Sequence, residues 1–151
     1  MQIFSHPRKG ARRPVKVLLV EDNDIDARII TLRAGLVEGF ELGVTRVNTL
    51  PLATAAMESG DYDICLVDVA LGRESAIQCL SALEQVSGCV GRVVLSHIAA
   101  EDAIELRLSA GANYFLPKAH CTPRHLEHAI EAVMAQRQFS APPSGIRGNA
   151  G

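Results

Sequence analysis

Two short apolar segments, each followed directly by carboxylates, constrain the fold of this chain most. Residues 15–20 (VKVLLV) precede Glu21 and Asp22, and residues 64–67 (ICLV) precede Asp68. Short segments that are β-branched and apolar almost throughout are typical of strands buried on both faces of a parallel sheet. Ligands bind just beyond the carboxyl ends of such strands, so the three carboxylates are predicted to meet at one sheet edge. That much negative charge is unfavourable without a positive partner, and a divalent cation is the simplest candidate.

Strand-like and helix-like segments alternate along the chain. Five strands are predicted, at about Lys16–Val20, Glu41–Val47, Ile64–Val67, Arg92–Leu95 and Asn113–Leu116. Five helices follow them, from Asn23-Asp24 to Gly39 and then at about Pro51–Glu58, Glu74–Val86, Glu101–Ala110 and Thr122–Arg137. This alternation predicts an α/β fold with helices on both faces of a parallel sheet. Right-handed crossovers favour the doubly wound strand order 2-1-3-4-5.

The first helix carries many apolar side chains. Asn23-Asp24 can cap its start, and Gly39 stands where it should stop. Its predicted buried stripe consists of Ile25, Ile29, Ile30, Leu32, Leu36 and Val37.

The composition is that of one domain of ordinary size. The chain has 151 residues, 48% of them hydrophobic, and a formal net charge of −2. This charge argues against a general nucleic-acid binder, which needs a basic face. No uninterrupted apolar stretch approaches the length of a membrane span. No C-x-x-C pair occurs, which disfavours a zinc site and favours buried reduced thiols in a cytoplasmic protein; the cysteines are Cys65, Cys79, Cys89 and Cys121.

Both ends of the chain are predicted to lie outside the domain, which then spans residues 15–138. Residues 1–14 are basic but lack the apolar region of a secretory signal. We expect them to form a disordered leader, with a weak contact to a partner or an anionic surface as the alternative. Residues 139–151 are rich in proline, glycine and small residues and are expected to form a flexible tail.

Four stretches together carry a family resemblance: VLLVEDN (17–23), CLVDV (65–69), VVLS (93–96) and GANYFLPK (111–118). From about Pro14 to Arg137, the chain resembles the receiver domain of bacterial two-component response regulators, the CheY-like superfamily. A single Asp or Ser after a strand is usually a turn or helix cap, so it is their joint placement at strand ends that is specific. The resemblance implies a flavodoxin-like fold and a phosphorylatable switch that is not an enzyme toward separate substrates.

The resemblance also implies roles for the acidic residues. Asp68 is the expected phosphoacceptor, because a carboxylate can attack phosphorus and form an acyl phosphate. Asp22 and Asp68, with the backbone carbonyl of Ala70, would hold Mg²⁺ (or Mn²⁺), which keeps several of its waters. Glu21 would act mostly through a metal-bound water. The cation would neutralise charge on the phosphoryl oxygens.

Lys118, Ser96 and Phe115 are the expected switch elements. Lys118 would pair with Asp68 in the empty site and with a phosphoryl oxygen in the filled one. Ser96 would donate a hydroxyl hydrogen bond to that group, and an aromatic on the fifth strand, Phe115 by position, would move inward. An ordinary, partly buried strand residue is the alternative for Phe115. The surface made by the fourth helix, fifth strand and fifth helix would then change its partners.

Three residues depart from the family pattern. Gly72 replaces a common proline, which should make the loop after Asp68 more flexible. His97 stands where a small residue is usual, so its ring would crowd the acceptor; hydrogen bonding to the phosphoryl group or titration near neutral pH is the alternative. Ala119 replaces the proline that often follows the lysine, so a cis peptide is not expected there. These changes bear on rates more than on the activity itself.

The implied phosphoryl donor is a histidine kinase or a phosphotransfer protein. The implied output is a downstream protein or a fused output domain, with a homodimer as a further alternative; no direct nucleic-acid contact is expected. The competing hypothesis is a receiver-like module that binds proteins independently of phosphorylation, which Gly72 and His97 motivate. A Mg²⁺-dependent phosphohydrolase is disfavoured because Ala70 stands where a general acid or base would be needed. A dinucleotide-binding protein is disfavoured because residues 21–24 contain no glycine loop.

Overall fold

The computed structural model describes residues 12–68, 81, 91–96 and 114–140. It contains the strands β1 (Arg13–Val20), β2 (Phe40–Val47), β3 (Ile64–Asp68), β4 (Gly91–Ser96) and β5 (Tyr114–Pro117). Its helices are α1 (Asp24–Ala34), α2 (Leu50–Ser59), a 3₁₀ turn (Lys118–His120) and α3 (Pro123–Ser140). The helices predicted at 74–86 and 101–110 lie outside the described residues apart from Ser81.

All five strands form one parallel sheet in the order β2-β1-β3-β4-β5. This confirms the predicted α/β fold class and the doubly wound order 2-1-3-4-5. Val20 of β1 pairs with Val67 of β3, and the next residue, Asp68, pairs with Leu95 of β4. Because the strands run the same way in this register, their carboxyl ends lie along one edge of the sheet.

β1 is longer than its apolar segment. It begins at Arg13, three residues before the predicted start at Lys16, and Arg13 pairs with Phe40 of β2. β1 starts this early because its first residues, whatever their side chains, can form backbone hydrogen bonds with β2. The boundary predicted at residue 14 therefore falls inside a strand.

Alternation along β1 divides the core into two clusters. Val15, Val17 and Leu19 belong to a cluster that α1 and α3 cover. Leu18 and Val20 belong to a second cluster, which α2 covers. Since neighbouring residues of a strand point to opposite faces, this central strand must be apolar at nearly every position.

The stripe predicted for α1 was mostly wrong. Ile30 and, just beyond the helix, Val37 are buried, but α1 approaches the sheet mainly through the small residues Ala27 and Ala34. Four of the predicted core residues are instead exposed by between 39% and 70%, and they form the α1 apolar face: Ile25, Ile29, Leu32 and Leu36. The helix has apolar residues on two sides. The side with Ala27, Ile30 and Ala34 is buried, because the alanines let the helix pack closely against the sheet.

Local caps set the ends of α1. The Asn23 side chain accepts a hydrogen bond from the Asp26 backbone N–H at 2.8 Å, as the predicted cap requires. The helix ends at Ala34, and its cap, Gly35, lies four residues before the predicted stop at Gly39. The described part of the chain contains no helix that combines the length and apolar character needed to cross a membrane.

Two of the four cysteines lie in described elements. Cys65 in β3 and Cys121 before α3 are both buried, and neither forms a disulfide. Burial raises the pKa of the Cys121 thiol to about 11, although nearby Arg33 and Lys118 oppose the rise. Such a thiol stays protonated at neutral pH and is a poor nucleophile. Cys79 and Cys89 lie outside the described residues.

Candidate functional site

Three carboxylates meet at the carboxyl edge of the sheet, as the sequence predicted. Glu21 and Asp22 directly follow β1, and Asp68 is the last residue of β3. One ligand atom from each lies within 4.8 Å of the others. The adjacency of β1 and β3 produces this cluster, because it places two strand ends side by side.

Burial divides the three carboxylates into two kinds. Glu21 is fully buried and Asp68 is 3% exposed, whereas Asp22 is open to solvent. A ligand arriving from water therefore meets Asp22 at the surface of the site and Asp68 beneath it. Asp68 combines proximity to other charges with shielding from water, a combination typical of functional sites.

The backbone around Glu21 is held on several sides. Its N–H donates to the Val47 carbonyl at 3.0 Å, and its own carbonyl accepts from Arg46 Nε at 2.9 Å. Its carboxylate oxygen Oε2 accepts from the Asn23 N–H at 3.2 Å. These contacts fix the turn after β1 and so fix where the carboxylate lies.

Lys118 lies at the centre of the negative charge. Its ammonium is 2.8 Å from Glu21 Oε1, 2.9 Å from Asp26 Oδ2 and 3.2 Å from Asp68 Oδ2. The Lys118 side chain is only 7% exposed, so its charge is poorly solvated and depends on these partners. The expected proximity of Lys118 and Asp68 is therefore present in the structure.

Sequence reasoning missed Asp26. This residue lies in the first turn of α1, and its ion pair with Lys118 joins positions 92 residues apart. The available signal was its place in the first turn of a helix that starts directly after the carboxyl end of β1, which puts its side chain near the same sheet edge. An acidic residue in a first helical turn is also common for reasons of helix stability alone, which is why the pattern does not stand out.

The titration of the site reflects its burial. Desolvation raises the pKa of Glu21 to about 7; the hydrogen bond from Lys118 opposes this rise, and the neighbouring Asp68 adds to it. Burial by itself would lower the pKa of Lys118, but hydrogen bonds to Glu21 and Asp26 and the charge of Asp68 outweigh it and raise the pKa. Lys118 therefore stays charged, while the Glu21 carboxyl exchanges its proton near pH 7.

The donor set of the site suits a hard divalent cation. Mg²⁺ prefers oxygen ligands and commonly takes one or two carboxylates plus waters. Asp22 and Asp68 provide that pair. Both oxygens of Glu21 already face Lys118 or the Asn23 N–H, which fits the predicted indirect contact through a metal-bound water. Ala70 lies outside the described residues, so its predicted carbonyl contact stays a prediction.

The remaining predicted residues differ in how far the structure describes them. Ser96 ends β4 and pairs in register with Pro117 of β5, so its backbone lies at the same sheet edge. Phe115 is partly buried and packs against the core cluster on the side of α2. Ala119 lies in the 3₁₀ turn after β5. Gly72 and His97 lie outside the described residues.

Comparisons with known proteins agree with this geometry. The model of the family described as "Response regulator receiver domain" matches residues 17–131. The "Alginate biosynthesis transcriptional regulatory protein AlgB" of Pseudomonas syringae pv. tomato is 29% identical over 135 residues, which cover 88% of this chain but 29% of that protein. The chain thus spans less than a third of the length of this relative.

Solved structures share the fold. A CheY-like receiver domain protein from Methanospirillum hungatei aligns with a TM-score of 0.70 and 18% identity, covering 87% of this chain and all of that one. A response regulator from Burkholderia pseudomallei, solved with a phosphorylated aspartic acid, calcium and citrate, aligns with a TM-score of 0.66 and 19% identity. That alignment covers 85% of this chain and 75% of the other.

Proposed function

Because the chain belongs to the response regulator receiver domain family of two-component systems, we propose that it is a switch operated by phosphorylation of Asp68. The observation that carries this proposal is the shielded Asp68 carboxylate, 3.2 Å from the Lys118 ammonium and within one cluster with Glu21 and Asp22. A nucleophile, a fixed cation and a set of hard oxygen ligands are the parts that phosphoryl transfer to a carboxylate requires.

The transfer itself is an in-line displacement at phosphorus. An oxygen of Asp68 forms a bond to phosphorus while the bond from phosphorus to the donor histidine nitrogen breaks, and the nitrogen keeps the electron pair. Lys118 offers its charge to the oxygens on which negative charge accumulates. Mg²⁺, when bound by Asp22, Asp68 and the Ala70 carbonyl, supplies further neutralisation of those oxygens. The water that later hydrolyses the acyl phosphate attacks phosphorus in the same line.

The switch follows from the change in charge at Asp68. A phosphoryl group brings additional negative charge and new acceptor oxygens to a site that already lacks solvent. Ser96 is proposed to donate its hydroxyl to one of these oxygens, and Phe115 to move further into its partly buried position. The surface formed by β5, α3 and the helix predicted at residues 101–110 then takes a second arrangement with different partners.

The likeness to the Burkholderia pseudomallei structure supports this proposal. That protein was solved with a phosphorylated aspartic acid and a calcium ion, and the present chain has the same fold. Calcium and magnesium are both hard cations that carboxylate oxygens bind. We therefore propose the same kind of covalent and metal chemistry at Asp68, with Mg²⁺ (or Mn²⁺) as the ion.

The α1 apolar face suggests where the phosphoryl donor docks. Ile25, Ile29 and Leu32 are spaced i, i+4 and i+7 and so lie on one side of the helix, and Leu36 follows just beyond its end. All four side chains are exposed. The face begins next to Asp26, which contacts the site. A donor protein must cover the surface beside Asp68 to deliver its phosphohistidine, so we propose that an apolar helical surface of a histidine kinase or phosphotransfer protein packs here.

We propose that the phosphorylated protein acts in the cytoplasm, where its changed surface binds another domain of the same protein or a separate protein. The Pseudomonas relative is named as a transcriptional regulatory protein, and the matched region is less than a third of it. A receiver of this kind therefore fits either a fused output domain or a separate protein target. The phosphorylation-independent binding module remains the competing function, and the following experiment separates the two.

The test is the intact mass of the chain after incubation with acetyl phosphate and Mg²⁺. We expect the native chain to gain one phosphoryl group and Asp68→Asn to gain none, because the amide is not a nucleophile. Asp61→Asn, which changes an exposed aspartate before the start of β3, at the opposite end of that strand from Asp68, is the matched control and should be phosphorylated. A folded native chain that gains no mass with acetyl phosphate or with a cognate kinase would favour the phosphorylation-independent module.

A further inference from the structure

Lys118 has one carboxylate partner more than phosphoryl transfer requires. Glu21 and Asp68 belong to the strand ends, but Asp26 comes from α1 and lies 2.9 Å from the ammonium, closer than Asp68 at 3.2 Å. An ammonium carries three N–H donors. Three carboxylate oxygens within 3.2 Å already share the charge of the ammonium before a phosphoryl oxygen arrives.

The contact is built into the start of α1. The Asn23 cap binds the backbone N–H of Asp26 and fixes the first turn next to the site. The other acidic residue of that turn, Asp24, pairs with Arg46 at 2.9 Å instead, and its side chain is 88% exposed. The two aspartates of this helical turn therefore pair with different basic side chains, Asp24 with Arg46 and Asp26 with Lys118.

A phosphoryl oxygen on Asp68 takes over the contact that Asp68 made and competes with Glu21 and Asp26 for the Lys118 ammonium. The side chain of Asp26 is 35% exposed, whereas those of Glu21 and Asp68 are 0% and 4% exposed. Water can replace the lost ion pair at Asp26 most readily, because that carboxylate is already partly solvated. Asp26 is therefore the partner that Lys118 can release at least cost.

We propose that Asp26 is a positioning residue that holds Lys118 in the unphosphorylated site and competes with the phosphoryl group for it. The proposal rests on the function proposed above. Its consequence is that phosphorylation of Asp68 breaks a contact between α1 and the end of β5. The surface of α1 around Asp26, beside the α1 apolar face, thus differs between the unphosphorylated and phosphorylated protein. The charge of Asp26 favours the unphosphorylated state.

The test measures binding of beryllium fluoride, a tetrahedral mimic of a phosphoryl group on a carboxylate, by calorimetry in excess Mg²⁺. Asp26→Asn keeps the shape of the side chain but removes its charge, so Lys118 is released to the ligand. We expect Asp26→Asn and Asp26→Ser to bind the mimic more tightly than the native chain by up to about fivefold, the upper end of what exposed ion pairs contribute. Asp26→Glu should restore affinity toward the native value.

Asp24→Asn is the matched control, because it removes the same charge from the same helical turn without touching Lys118. If Asp24→Asn tightens binding as much as Asp26→Asn, the effect is general electrostatics and the proposal is wrong. Equal affinities of the native chain, Asp26→Asn and Asp26→Ser would overturn it as well, while leaving the phosphorylation switch standing. No binding by the folded native chain would overturn both the switch and this inference.

Discussion

Glu21→Gln should change how the stability of the protein depends on pH. In the native chain, burial raises the pKa of Glu21 from 4.5 to about 7, with Asp68 contributing to the rise. The unfolded chain releases this proton near pH 4.5, while the folded chain keeps it until about pH 7. Between these values the folded state binds more protons than the unfolded state, so the free energy of unfolding falls as pH rises.

The size of the effect follows from the same pKa values. A pKa that moves from 4.5 to about 7 on folding corresponds to about 3 kcal/mol of stability, fully present below pH 4.5 and lost by about pH 7. Glutamine at position 21 is neutral at every pH and leaves Asp68 paired with Lys118, so the loss with rising pH disappears. Above pH 7 the variant should be more stable than the native chain by up to about 3 kcal/mol.

The assay is urea unfolding at intervals from pH 4.5 to pH 8, with EDTA and constant ionic strength. The two free energies of unfolding should nearly coincide at the acidic end and separate as pH rises. Glu58→Gln, an exposed carboxylate on α2, is the matched control and should follow the native curve throughout. Native and Glu21→Gln curves that stay parallel from pH 4.5 to pH 8 would refute the reasoning that burial of Glu21 stores this proton.

Other perturbations test the metal site and the packing. Excess Mg²⁺ at pH 8 should stabilise the native chain by about 3 kcal/mol at a concentration one hundred times its Kd; thermal unfolding should show this for Asp24→Asn but not for Asp22→Asn. Gly91→Ala should destabilise the fold by about 1–3 kcal/mol, because the new methyl group overlaps the Val133 side chain of α3. Gly43→Ala in β2 meets no atom within 4 Å and should be neutral or slightly stabilising in urea unfolding. A metal response retained by Asp22→Asn, or equal losses in the two glycine variants, would contradict these expectations.

The strand ends were the most predictable part of the molecule. The carboxylates at the ends of β1 and β3 and the lysine after β5 could all be located before the sheet was known. The reason is that strand periodicity and a polar residue at its end are local properties of the sequence. Once the strand order is 2-1-3-4-5, Glu21, Asp22 and Asp68 have to meet at one edge, and the structure places them within 4.8 Å of one another.

The orientation of α1 was not predictable in the same way. Its sequence offers two apolar sides, and the larger one, with Ile25, Ile29 and Leu32, looks more hydrophobic than the side that is buried. The structure buries Ala27 and Ile30 instead, since small residues let the helix axis lie close to the sheet. Hydrophobic periodicity identifies that a helix is present, but packing distance decides which side it turns inward.

The sequence by itself determined the alternation of strands and helices, the order of the sheet and the set of acidic residues at its carboxyl edge. Strand length and helix caps depend on neighbouring residues, and the right-handed connections between parallel strands follow from general chain geometry. These properties can therefore be predicted from the sequence. Only the tertiary structure decided that Lys118 divides its charge among Glu21, Asp26 and Asp68. That choice joins Asp26 to a residue 92 positions away. It depends on where α1 comes to rest against the sheet, which no local pattern encodes.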